Sequence, residues 1–107
     1  LVLTDGGTFS TAADVCAIIQ HLKLATFIGE ETGGGHVGNN SGLMSTLTLP
    51  HSKIGVRFPF YGYWNAVSGD NNARRGTLPD HPVPMTTQDL LRGVDAPMEL
   101  ALKLARE

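Results

Sequence analysis

A single cysteine, Cys16, rules out an intrachain disulfide in these 107 residues. No apolar run approaches the roughly 18 residues needed to cross a bilayer as a helix. Charge is nearly balanced at −2, which gives no reason to expect nucleic acid or an anionic membrane as partner. None of the four histidines shows metal-ligand spacing such as H-E-x-x-H, so neither a metal nor a cofactor is implied. No signal peptide is visible, but the chain begins without methionine and in the middle of an apolar run. It is therefore expected to be the C-terminal portion (residues 1–107) of one domain of a longer protein. Aromatics are few, and four of the seven crowd together as Phe60, Tyr61, Tyr63 and Trp64. They form either the core of an antiparallel region or an apolar wall for a ligand.

What is present concentrates in the first fourteen residues. Val2 and Leu3 suggest a strand, Gly6 and Gly7 a turn, and Ser10 stands where a helix begins. Val15, Ile18, Ile19 and Leu22 recur at the spacing of one buried helical face. Thr11 and Asp14 have the spacing of a capping box. Cys16, inside this helix, is expected to be a small core residue. Ser10 has two readings: a helix N-cap, or a nucleophile beside the free N–H groups and positive end of a helix.

Residues 25–28 form a second apolar run, making a strand–helix–strand unit with parallel strands. Residues 29–42 are a glycine-rich loop. Gly33, Gly34 and Gly35 lack the following Lys-Ser/Thr of a phosphate cradle; they either let backbone approach a substrate chain or make a turn between sheets. Residues 43–49 and 54–58 alternate around a polar turn and predict a β-hairpin. Three prolines make residues 77–84 extended. Gly93 ends a short helix, and Asp95 caps a last helix over 96–106 with Met98, Ala101, Leu102 and Ala105 on its apolar face.

Thr8-Phe9-Ser10-Thr11-Ala12-Ala13-Asp14, then Ala25-Thr26-Phe27-Ile28-Gly29-Glu30-Glu31-Thr32-Gly33-Gly34-Gly35, then Gly76-Thr77-Leu78-Pro79-Asp80 and Thr87-Gln88-Asp89-Leu90-Leu91-Arg92-Gly93-Val94-Asp95, occur in order. Together they resemble the C-terminal processing (tail-specific) serine peptidases. The likeness is greatest to the branch that includes the tricorn protease core and the interphotoreceptor retinoid-binding protein. The resemblance implies an α/β fold, the ClpP/crotonase-like ββα spiral, with a β-hairpin extension and C-terminal helices. It implies hydrolysis of peptide bonds through an acyl-enzyme on Ser10, with the backbone N–H of Thr11 in the oxyanion hole. Gly33, Gly34 and Gly35 become candidates for contact with a peptide or protein substrate.

The pattern also departs from the family. Gly35 stands at the lysine position of tail-specific members. The branch instead takes a Ser-His pair and an oxyanion glycine from upstream of the nucleophile, so the 107 residues alone are expected to be inactive. His36 is the candidate base within the chain. Ala73 replaces a glutamate of the charge network, with Asp70 or Glu31 as substitutes. Export to the periplasm or cell envelope is implied by the family alone. Two alternatives stand beside the peptidase: a non-catalytic module binding apolar ligands or peptides, and a structural piece that self-associates through the exposed edge of its first strand.

Overall fold

The computed structural model describes residues 1–67 and 74–106. Its centre is a parallel three-stranded sheet in the order β1 (Val2–Thr4), β2 (Phe27–Gly29), β7 (His81–Pro82). Val2 pairs with Phe27 and Thr4 with Gly29, while Ile28 pairs with His81. Helix α1 (Thr11–His21) connects β1 to β2, as the strand–helix–strand pattern predicts. Phe27 and Ile28 on the central strand are wholly buried, as befits a parallel strand covered on both faces. Asp80 accepts a hydrogen bond from the Phe27 amide at 2.8 Å, and Gln20 donates to the Leu78 carbonyl at 2.7 Å. These two bonds tie the extended proline-rich run to the sheet and to α1.

The buried face of α1 differs from the one expected. Ala13, Asp14, Cys16 and Ala17 are buried, whereas Val15, Ile18 and Leu22 are exposed. Small residues win because they allow close approach: a Cβ on Gly34 would lie 2.5 Å from that of Ala13. Cys16 is buried as expected, and burial pushes its thiol up from its ordinary value, away from the thiolate that reacts.

The C-terminal elements follow their local signals. Helix α2 (Thr87–Arg92) starts at a reciprocal capping box between Thr86 and Asp89 and stops at Gly93, which is left-handed. Asp95 caps α3 (Ala96–Leu104) by accepting from the Met98 amide at 3.0 Å. Helix α3 packs on β1 and β2. It buries Ala101, with Leu100 and Leu104 half-buried, while Met98, Leu102 and Ala105 of the expected face are exposed.

The predicted hairpin is present as β4 (Met44–Thr48) paired antiparallel with β5 (Gly55–Pro59). Leu47 opposes Val56 and Ser45 opposes Phe58, so Leu47, Val56 and Phe58 share one face, and all three are exposed. A further antiparallel pair, β3 (Gly38–Asn39) with β6 (Tyr63–Trp64), ties the glycine-rich loop to the aromatic cluster. Of that cluster Tyr63 is half-buried, and Phe60, Tyr61 and Trp64 are exposed. The cluster is therefore not a packed core within the described residues.

Candidate active site

The connection from β1 to α1 is built on side chain–backbone bonds. Asp5 Oδ1 accepts from the Gly7 amide at 2.9 Å and the Thr8 amide closes a turn on the Asp5 carbonyl at 3.0 Å. The chain then reaches Ser10, whose φ of 53° and ψ of −133° occupy a region that residues with a Cβ rarely adopt. Such a conformation costs on the order of 1–3 kcal/mol and persists only where its surroundings impose it.

The imposing surroundings are the glycines. The Gly34 amide donates to the Thr8 carbonyl at 3.0 Å. A Cβ on Gly34 would stand 3.2 Å from the Ser10 nitrogen and from Phe9 Cα, and one on Gly33 would meet the Phe9 ring at 2.6 Å and overlap the Gly6 carbonyl oxygen. The backbone that Gly33 and Gly34 approach closely is thus the serine turn itself. Gly35 has another duty, bridging antiparallel to Gly76.

Ser10 occupies the N-cap position of α1, yet its side chain makes no capping bond. The expected Thr11–Asp14 capping box is not formed: Thr11 is the first residue of the helix and not its N-cap, and the Asp14 carboxylate is bonded by Asn39, Tyr63 and Asn65. Ser10 is exposed, and no side chain among the described residues is hydrogen-bonded to its hydroxyl. The Thr11 amide likewise makes no hydrogen bond among the described residues, the first such bonds of the helix being those of Ala12 and Ala13 to the Phe9 carbonyl. A free hydroxyl and a free N–H therefore lie next to each other at the positive end of an eleven-residue helix. A cleft of about 640 Å³ adjoins the turn, running from Leu3 through Thr8 to Met85 and Leu90.

His36 is buried, with Nδ1 3.0 Å from Thr77 Oγ1. Burial, with a smaller contribution from the charge of His21, lowers its pKa below the ordinary 6.5. An unfolded chain then takes up a proton near pH 6.5 that the native ring refuses. Stability from this group is complete above pH 6.5 and is lost as pH falls through the depressed native value. Urea midpoints at pH 7.5 and 5.5 should show that decline, and His36→Gln should flatten it.

Sequence reasoning missed a polar network built on Asp14 of α1. Asp14 accepts from Asn39 Nδ2 at 3.1 Å, from the Tyr63 hydroxyl at 2.6 Å and from Asn65 Nδ2 at 3.0 Å. Asn65 also donates to the His36 carbonyl at 3.2 Å. The bond to Asp14, with burial, raises the Tyr63 phenol above its ordinary 10.0. A polar residue on α1 followed by asparagines in a glycine-rich loop was the available signal, and the capping-box reading obscured it. Asp14→Ala should destabilise the fold by about 2 kcal/mol, because three donors lose their acceptor. Chemical denaturation measures that, and an ultraviolet titration should show Tyr63 ionising at lower pH.

Glu31 is engaged elsewhere than at Ser10. Arg75 grips it from two nitrogens at 2.7 and 3.2 Å, and the Gly76 amide donates to it at 2.8 Å. These bonds hold its carboxyl below the usual range. Asp70 and Ala73 lie outside the described residues. A family model described as peptidase family S41 matches residues 1–83. No curated protein matches the chain.

Proposed function

The chain belongs to peptidase family S41, and from that premise we propose that Ser10 is the nucleophile of a serine peptidase of the tricorn-core branch. The observation that carries this reading is the strained backbone of Ser10, paired with a hydroxyl that does no capping. A strand-to-helix turn of this kind lifts a serine oxygen clear of its neighbours and aims it outward. We further read β1–α1–β2 as one unit of a ClpP/crotonase-like spiral.

In this mechanism Ser10 Oγ attacks the carbonyl carbon of the scissile peptide bond. Its proton passes to a base and then to the leaving amine as the C–N bond breaks. The Thr11 amide donates to the oxygen that becomes negative, where a preorganised donor is worth about 10²–10³ in rate. Water then cleaves the ester and restores the hydroxyl. The resemblance draws the base from outside these 107 residues. His36, held against Thr77, serves the fold in this reading.

Acyl-enzyme chemistry has a direct kinetic signature. The complete protein, mixed with an activated peptide ester, should release one equivalent of leaving group in a burst before steady turnover. Tight binding of peptide or of an apolar ligand without burst or turnover would instead favour the non-catalytic module.

A further inference from the structure

The hairpin has one apolar face, and nothing in the chain covers it. Leu47, Val56 and Phe58 share that face. The ladder continues past both strand ends: the Leu49 amide donates to the Ile54 carbonyl, and the Phe60 amide to the Leu43 carbonyl, each at 2.9 Å. These two pairs keep the register, so they extend the same face, and the Phe60 ring lies 6.2 Å from that of Phe58. All seven side chains are exposed, and neither strand holds a buried residue. Only Ser45 interrupts the stripe, which runs roughly 20 Å along the strands. The opposite face is mixed, with Thr46, Thr48 and Arg57 on it. An apolar stripe of this extent marks a contact surface, and a lone two-stranded hairpin is marginal in water without a cover.

Charge says what the cover is. The net −2 of the chain hides an uneven distribution. None of the ten acidic residues falls between Glu31 and Asp70, a stretch that contains the whole hairpin and carries Lys53 and Arg57. We propose that the β4–β5 hairpin docks on the surface of an anionic phospholipid bilayer, apolar face down. A second copy laid face to face would bring its own Lys53 and Arg57 to the contact, with no acid in either hairpin to pair them. Phosphate headgroups supply the missing countercharge. Tyr61 and Trp64, 53% and 78% exposed, follow the stripe in the chain. Their rings, apolar with one polar atom, favour the boundary between headgroup and acyl chain.

The backbone limits the depth. Among the described residues β4 and β5 pair only with each other, so each leaves an outer edge unpaired. Such edges cannot enter hydrocarbon, where no water satisfies them. The ribbon therefore lies in the interface, with its apolar side chains reaching the acyl boundary and Arg57 extending back to the headgroups. Lipid binding by this face needs nothing from Ser10.

The test is sedimentation of the complete protein with vesicles of phosphatidylcholine alone, or of phosphatidylcholine and phosphatidylglycerol in equal amounts. Binding to the mixed vesicles should be at least tenfold tighter, the two cations contributing about fivefold each, and the difference should shrink as ionic strength rises. Lys53→Gln with Arg57→Gln should abolish the difference. Leu47→Ser with Phe58→Ser should weaken binding to mixed vesicles at least tenfold. Thr46→Ser with Thr48→Ser, on the opposite face, should leave it unchanged. Denaturation midpoints establish that each variant folds, and the charge pair decides alone if the Leu47 and Phe58 variant does not. Absence of binding, equal binding to both vesicles, or binding that the variants retain overturns the proposal. So does a dimer in lipid-free solution that dissociates in the Leu47 and Phe58 variant and ignores vesicles, since a second copy would then cover the face.

Discussion

Ser10→Gly is expected to abolish peptide hydrolysis while leaving the protein at least as stable as before. The two effects have separate causes. Loss of the nucleophile removes covalent catalysis, a drop of about 10⁴-fold or more in kcat. Glycine, however, adopts φ near 53° without a steric penalty. Relief of that strain contributes about 1 kcal/mol, offset in part by the extra freedom of glycine in the unfolded chain. Ser10→Ala should lose activity equally while keeping the strain, so its melting temperature should lie below that of Ser10→Gly. An ordinary capping serine behaves the opposite way. Its alanine variant costs about 1 kcal/mol and leaves catalysis alone. Thermal unfolding and peptide turnover on the three proteins distinguish the cases.

Gly34→Ala is the second large effect. The added methyl would come within 2.5 Å of Ala13 Cβ and 3.2 Å of the Ser10 nitrogen, contacts that the backbone on both sides cannot accommodate unmoved. Overpacking of this kind costs about 1–3 kcal/mol. Because the movement falls on the serine turn, kcat should drop by about 10²-fold, the scale on which small misplacements of a reacting group are felt. Ala13→Gly in the same protein removes the closer of the two clashes and should recover part of both losses. The coupling is measured by a double-mutant cycle on stability and on kcat. Additive effects would mean that Gly34 does not support the turn through Ala13.

The parallel β1–β2 pair, the hairpin, the capped α3 and the glycine stop at Gly93 were legible because each depends on short-range rules: alternation, caps and turn residues. The buried face of α1 was not. Hydrophobicity marked Val15, Ile18 and Leu22, but what α1 meets is a glycine backbone, and only small residues fit against it. The position of Ser10 at the helix mouth was visible in the order of residues. Its unusual dihedral angles were not, because they arise from Gly33 and Gly34, more than twenty positions away. Asp14 was hidden for a related reason: its partners Asn39 and Tyr63 lie in the short paired strands β3 and β6 and Asn65 just beyond them, a pairing that no local rule specifies. Its spacing from Thr11 suggested a cap that the fold does not make.

Covalent labelling addresses the central claim most directly. The complete protein is treated with a fluorophosphonate, its intact mass recorded and its peptides mapped. The account predicts one adduct per chain, on the Ser10 oxygen, and none on the Ser10→Ala variant. Peptide turnover that persists in Ser10→Ala, or a reactive hydroxyl at any other position, would contradict it.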